Sequence, residues 1–313
     1  MSNHAHLPLR RAAPFMRVPG PEQRRRSKVG IVGIPFDYGV HSYRIGSRLG
    51  PTAIREQSLL VRPFNPPHFD FDVTEELQVA DWGDVDVVPG RIEDAFAKIE
   101  SVLDAVYASG ALPITMGGDG AVTLPQVRAA HRKFGTLAML HLDSHNDSNP
   151  VPATGHDTGT TFVRAVEEKL IDVSKSLHVG VRGTFKMPGI IAKSDELGYE
   201  TLYMADIEKM GIANVVGHIR KKCGDLPVFI CLDMDFFDPS CAPGVCAPSW
   251  GGVLAREGIA IVKGLAGLEI VAMDVNTISP PHDVGGMSAL LAAQMMLEGV
   301  LLMHQNASLS RVV

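Results

Sequence analysis

The chain has 313 residues, of which 45% are hydrophobic and 20% charged, and its formal net charge is −6. A chain of this composition is globular and can bury a large core, and its negative charge argues against a general nucleic-acid binder. We identify no apolar run of the ~20 residues that cross a membrane, so no membrane partner is expected.

Residues 1–28 form a basic segment that contains seven Lys or Arg residues and one acidic residue, Glu22. The segment has no apolar core of the kind found in secretory signals, although its Arg-rich, acid-poor start also allows a mitochondrial presequence. We favour an extended N-terminal arm that lies on a neighbouring surface. One α/β domain over residues 29–313 then follows, because no linker interrupts this range.

The four cysteines, at positions 223, 231, 241 and 246, form no C-x-x-C pair. A structural zinc site is therefore not expected. Nothing marks the chain as secreted, which predicts reduced thiols and a cytoplasmic location.

Eight short apolar or β-branched runs follow one another along the domain. They begin near residues 29, 79, 112, 136, 177, 201, 228 and 270. Their continuous hydrophobicity predicts strands buried on both faces, as in a parallel sheet. Between most of them the spacing of apolar residues predicts helices, as over residues 92–109. Residues 286–303, rich in Leu, Ala and Met, predict a closing helix packed on the sheet.

Polar clusters follow four of the predicted strands. They are residues 117–120 (GGDG), 141–147 (HLDSHND), 233–238 (DMDFFD) and 274–276 (DVN). Ligands of open α/β sheets bind beyond the carboxyl ends of the strands, so these clusters are expected to share one edge.

The two most acidic clusters predict a metal site. Alternate residues of an extended strand point the same way, which places Asp143, His145 and Asp147 on one face. Asp233 and Asp235 share a face in the same manner. Buried carboxylates are costly without a cation, and this donor set suits Mn²⁺, and also Mg²⁺, Fe²⁺, Ni²⁺ or Zn²⁺. A single D-x-H could instead be a turn device, but the combination favours metal-assisted hydrolysis.

At these residues the chain resembles the ureohydrolase family, which includes arginase, agmatinase, guanidinobutyrase and proclavaminate amidinohydrolase. Residues 162–172 (FVRAVEEKLID) and the Ser-Pro-Pro-x-Asp segment resemble the agmatinase-like branch more than arginase proper. The other markers are residues 33–37 (GIPFD), 46–51 (GSRLGP), 117–119 (GGD), 143–147 (DSHND), 233–235 (DMD), 242–244 (APG) and 279–283 (SPPHD).

The resemblance implies a three-layer α/β/α fold with a mainly parallel eight-stranded sheet. It implies a binuclear manganese centre that hydrolyses a guanidino group to urea and an amine. The expected partner is a small guanidino or amidine substrate, and the expected assembly is a homotrimer or homohexamer. The implied metal ligands are Asp143, His145, Asp147, Asp233 and Asp235. Asp147 would also handle a proton during catalysis.

The chain departs from the family pattern at several positions. Gly120 stands where the family has a His ligand, which predicts one tight metal site and one weak or empty site. Thr158 replaces a His that shuttles a proton to the leaving amine. His156 is a candidate for that catalytic role, although a solvated loop histidine is an equally good interpretation.

The expected substrate contacts are also altered. Asp274 stands where the resemblance places a Glu that grips the guanidinium, and its side chain is one methylene shorter. Thr158 and Asn149 would also contact the substrate, although Asn149 could simply be a turn residue. Cys246 would lie near the metal edge, as a ligand, a nucleophile or a small buried thiol.

Two functions remain open from the sequence. The first is a metal-dependent hydrolase of a linear amidine with altered specificity, acting on a compound other than arginine or agmatine. The second is a catalytically impaired ureohydrolase-like scaffold or regulatory subunit. The retained aspartates favour the enzyme, because unused buried carboxylates should be lost early.

Overall fold

A nine-stranded sheet forms the centre of the computed structural model, which describes residues 7–24, 26–38, 43–66, 68–150, 155–185 and 188–309. The strand order is β1-β3-β2-β4-β9-β8-β5-β6-β7. The strands are β1 (Leu9–Arg10), β2 (Val29–Gly33), β3 (Ala80–Val85), β4 (Leu112–Met116), β5 (Ala138–Leu142), β6 (Leu177–Val181), β7 (Glu200–Tyr203), β8 (Val228–Asp233) and β9 (Ile270–Asn276).

Strands β2 to β9 pair in parallel, and they correspond to the eight predicted runs. The mainly parallel α/β sheet is therefore confirmed. The count of eight is wrong by one, because the short strand β1 adds an antiparallel edge to β3.

The additional strand comes from the basic N-terminal segment, of which residues 1–6 and Arg25 lie outside the described part. Leu9 pairs with Val85 of the same chain. Phe15 is fully buried, and its backbone N–H donates to Asp81 Oδ2 at 2.7 Å. The described part of the arm therefore packs on the edge of its own sheet, because apolar residues within it gain burial there.

Helices cover both faces of the sheet. They are α1 (Gly50–Ser58), α2 (Val73–Glu76), α3 (Ile92–Ala108), α4 (Thr123–Phe134), α5 (Thr161–Glu167), α6 (Ile190–Leu197), α7 (Met204–Met210), α8 (Ile212–Cys223), α9 (Ala255–Gly264) and α10 (Met287–Leu309). One core lies between the sheet and helices that include α8, α9 and α10, and a second lies under α3, α4 and α5. Successive side chains of strand β5 point to opposite faces of the sheet, since Leu140 belongs to the first core and Met139 to the second.

Helix α10 is the predicted closing helix. Over Met287–Asn306 it is long and apolar enough to cross a membrane, contrary to the expectation from the sequence, but 78% of the most apolar window is buried inside the protein. It packs against α1, α9 and strand β9. Its apolar character is therefore explained by its place in the core.

The four strands that precede the polar clusters are neighbours at the centre of the sheet, in the order β4-β9-β8-β5. Their carboxyl ends meet at one edge. Residues far apart in the sequence are thereby brought together, as Asp233 opposite Asn276 shows.

Candidate metal centre and substrate pocket

The loop after β5 places the first predicted ligands. Strand β5 ends at Leu142, so the strand alternation assumed for residues 143–147 is wrong. Asp143 and His145 converge for a different reason: the loop turns so that the backbone N–H of His145 donates to Asp143 Oδ1 at 2.6 Å. Asp147 has a φ of 42°, a left-handed conformation that is uncommon outside glycine.

Asp143, His145 and Asp235 form the first cluster of potential ligands. His145 Nδ1 lies 3.2 Å from Asp143 Oδ1 and 3.3 Å from Asp235 Oδ2. The other oxygen of Asp235 is held by Ser144, whose backbone N–H and hydroxyl donate to it at 3.1 and 2.7 Å. This hydrogen bonding leaves Oδ2 directed at the cluster, as a ligand that is oriented before the ion binds.

Asp233 follows the same pattern at the end of β8. Its Oδ1 accepts the backbone N–H of Asp235 at 2.7 Å and a short hydrogen bond from the Thr277 hydroxyl. The residue is buried and lines the pocket. Its second oxygen is the one available to an ion.

His141, Asp143 and Asp147 form a second cluster, in which the potential ligand atoms all lie within 4.8 Å of one another. His141 was not among the predicted ligands. The sequence offered a signal for it, because His141 is an imidazole near the end of an apolar strand, two residues before Asp143.

The carboxylates of the centre have strongly perturbed pKa values. Burial, followed by the charge of Asp235, raises the pKa of Asp143 to about 8. Burial also raises the pKa values of Asp147 and Asp233 well above their ordinary value. Burial opposes ionisation of Asp235 as well, but the charge and hydrogen bonding of His145 outweigh it and lower the pKa of that carboxyl. Several carboxyls buried side by side are costly to ionise, and a bound divalent cation removes that cost. The donor set therefore fits such an ion.

A cavity of about 260 Å³ opens above the clusters. Among its described lining residues the carboxylates are Asp147, Asp233 and Asp235, and the imidazole is that of His145. The rest of the described lining is neutral or apolar, comprising Asn146, Asn149, Thr158, Gly159, Thr184, Phe185, Ile190, Cys246, Ala247 and Thr277.

Thr158 and Asn149, two of the predicted substrate contacts, lie on one wall of this cavity. The backbone N–H of Asn149 donates to Gly159 O at 2.7 Å, which ties the two segments together. The hydroxyl of Thr158 is buried and has no hydrogen-bond partner among the described residues. It is therefore available to a bound molecule.

Asp274 does not reach the cavity, which corrects its predicted role as the group that grips a guanidinium. The residue is fully buried within β9. Its carboxylate accepts the hydroxyls of Thr115 and Thr123 at 2.8 and 2.7 Å and the amide of Asn276 at 2.9 Å. Thr277 is the residue of this segment that lines the cavity.

His156 is also absent from the described lining, which corrects its predicted catalytic role. Its ring packs on Phe96 of α3 with centroids 5.2 Å apart, and its Nε2 lies 3.7 Å from Glu93 Oε1. The structure thus favours the alternative interpretation of a loop histidine, held here by helix α3.

Cys246 lines the cavity and is almost completely buried. Burial, with the nearby charge of Asp233, raises the pKa of its thiol. A protonated thiol is a poor nucleophile, so the small buried thiol is the interpretation that the structure supports.

The fold and the site define a class of protein. Its members have a mainly parallel sheet covered by helices on both faces, and the ends of the central strands present carboxylates and imidazoles suited to divalent cations. The model of the Arginase family matches residues 27–302. A guanidinopropionase from Pseudomonas aeruginosa is 36% identical over 299 residues, which cover 95% of this chain and 93% of that protein. The chain therefore belongs to the arginase family.

Solved structures agree with this assignment. A proclavaminate amidinohydrolase from Streptomyces clavuligerus superposes with a TM-score of 0.88 and 31% identity, over 98% of this chain and 100% of that chain. A formiminoglutamase from Trypanosoma cruzi, solved with Mn²⁺, superposes with a TM-score of 0.82 over 93% of this chain and 98% of that chain. At 24% identity the latter shows the shared fold.

Proposed function

We propose that the chain is a metal-dependent hydrolase that splits a small guanidino compound into urea and an amine, with a specificity unlike that of arginine or agmatine hydrolases. The observation that carries this proposal is the convergence of Asp143, His145 and Asp235 beside a cavity. Two relatives named for their activities, a guanidinopropionase and a proclavaminate amidinohydrolase, support the same reaction class.

Mn²⁺ is the proposed ion, bound tightly by Asp143, His145, Asp233 and Asp235 and more weakly at a second position. Held by these four residues, a divalent ion would supply a Lewis acid for the substrate and would make a bound water molecule more acidic. The second position is weaker because Gly120 offers no side chain.

Asp147 is the proposed proton carrier. It lines the cavity, and burial raises the pKa of its carboxyl well above the ordinary value. A carboxyl that binds a proton more readily is suited to take one up and release it to the leaving amine. The Thr158 hydroxyl and the Asn149 amide are proposed to hydrogen-bond the substrate. A homotrimer or homohexamer in the cytoplasm remains part of the proposal.

The second candidate is a catalytically impaired scaffold or regulatory subunit. It is favoured by the corrections at His156 and Asp274, since neither reaches the described lining of the cavity. A substrate guanidinium would then find no carboxylate in that lining besides those of the metal centre.

The test is a metal and urea assay on the purified full chain. Metal-free protein is equilibrated with Mn²⁺, its metal content is measured, and urea release is followed for arginine, agmatine, guanidinopropionate, guanidinobutyrate and an alkylguanidine with an uncharged tail. We expect bound metal and turnover of a compound other than arginine and agmatine. The control is Asp235→Asn, which keeps the side-chain shape and should lose the tightly bound ion and the turnover. Bound metal without urea from any compound would support the scaffold instead.

A further inference from the structure

The imidazole of His141 sits against the oxygen of Asp143 that the first cluster does not use. His141 Nε2 lies 2.8 Å from Asp143 Oδ2, and both side chains are buried to 1% exposure. Despite this distance, Asp143 Oδ2 has no hydrogen-bond partner among the described residues. Two polar atoms in contact without a hydrogen bond are typical of two ligands of one ion.

One placement of the ring protons satisfies all the hydrogen bonds around His141. Ser148 Oγ donates to Asn146 O at 2.9 Å, so it accepts from His178 Nε2, which lies 3.4 Å away. His178 Nδ1 is then unprotonated and accepts from His141 Nδ1 at 2.9 Å. It follows that His141 Nε2 carries a lone pair, because a neutral imidazole has one N–H.

A lone pair on His141 Nε2 that faces a carboxylate oxygen is unfavourable unless a cation or a proton lies between them. Asp147 belongs to the same cluster, with ligand atoms within 4.8 Å. Asp143 is thus divided between two groups of donors: its Oδ1 faces His145, and its Oδ2 faces His141.

We propose that His141 Nε2 is the nitrogen ligand of a second divalent ion, which it holds with Asp143 Oδ2 and Asp147. This inference rests on the proposed function for the first ion only. His178 is a positioning residue, because its Nδ1 fixes the tautomer and orientation of the His141 ring. The ring of His178 is itself packed between Phe162 and Tyr199, with centroids 5.3 and 4.3 Å away.

The test counts Mn²⁺ ions by equilibrium dialysis of the full chain, with low-temperature electron paramagnetic resonance to detect a coupled ion pair. Wild-type protein should bind two ions per chain and show the coupled signal. His141→Gln should bind one ion and lose the signal. His178→Phe, which keeps the aromatic packing, should lower the affinity for the second ion by about 10–100-fold. The affinity for the first ion should be unchanged. His131→Gln, at a histidine on helix α4 bonded to Leu170 O, is the matched control and should resemble wild type.

Two ions in His141→Gln, or one ion in the wild-type protein at saturating Mn²⁺, would overturn the proposal while leaving the first site intact. No bound ion in the wild-type protein would overturn the proposed function as well. If His141→Gln fails to fold by circular dichroism, an anomalous map of wild-type crystals soaked in Mn²⁺ replaces it. A peak at bonding distance from His141 Nε2 is expected, and a peak beside His145 alone would contradict the assignment.

Discussion

Thr158, which lines the cavity, leaves no room for a side chain at Gly120. A Cβ atom built on Gly120 would lie 2.7 Å from Thr158 Cγ2 and 3.3 Å from Asp147 Oδ2. Positions 120 and 158, at both of which the resemblance implies a histidine, are therefore coupled, because the methyl group of Thr158 occupies the space beside Gly120. A side chain can return to position 120 only if position 158 changes with it.

Gly120→Ala is expected to lower the free energy of unfolding by about 1–3 kcal/mol, because the new methyl group overpacks against Thr158. Chemical denaturation of the metal-free protein measures this. The control is Gly217→Ala within helix α8, where an added Cβ meets no atom within 4 Å. This substitution should raise the free energy of unfolding by about 0.5–1 kcal/mol.

Adding Thr158→Ser to Gly120→Ala removes the opposing methyl group and should restore most of the lost stability. The coupling between the two substitutions should then be about 1 kcal/mol or more. Additive effects would show that the Thr158 methyl group does not fill the space.

Asp147→Asn should lower kcat by about 10²–10⁴-fold on any substrate that the wild-type protein turns over, because the amide cannot carry a proton. Asn tolerates the left-handed backbone at this position, so the melting temperature should be unchanged or higher. Steady-state kinetics and calorimetry test this prediction. A near-normal kcat in this variant would assign the proton to another group.

Asp274→Ala should cost about 2–4 kcal/mol of stability, because it leaves buried hydroxyl and amide donors unpaired. Asp274→Asn should cost less, since an amide retains part of the hydrogen bonding. Neither variant should change KM by more than about twofold, because the carboxylate lies within β9. A large rise in KM at unchanged stability would show that Asp274 contacts the substrate after all.

His156→Gln should leave kcat and its pH profile unchanged, since the ring packs on Phe96 outside the described cavity lining. Burial lowers the pKa of His156, which keeps the ring neutral at pH 7. Loss of the basic limb of the pH profile in this variant would show that the loop brings His156 to the substrate.

The metal-free protein should lose stability as the pH rises. The pKa of Asp143 is raised from 3.8 to about 8 in the folded chain, so the native state holds a proton that the unfolded chain releases between these values. The melting temperature should therefore be higher at pH 6 than at pH 8. Mn²⁺ should reverse this trend, because its binding displaces protons from the buried carboxyls. Calorimetric titration in buffers of different ionisation enthalpy measures the release, and its absence would contradict the raised pKa.

Local patterns were sufficient for much of this protein. Continuous apolar runs identified strands β2 to β9, and the acidic clusters identified Asp143, His145 and Asp235, because burial and charge clustering are visible in consecutive residues. The antiparallel strand β1 was not predicted, since two residues that pair at a sheet edge leave no periodic pattern.

The amino-acid sequence by itself determined the parallel α/β sheet, the family and the acidic strand ends, because hydrophobic periodicity and motifs are properties of short segments. Only the tertiary structure decided which polar side chains face the cavity. Asp274 is held inside β9 by Thr115 and Thr123, His156 is held by Phe96, and His141 meets Asp143. Side-chain direction beyond a strand end depends on loop dihedral angles and on distant partners, and neither is encoded in the spacing of nearby residues.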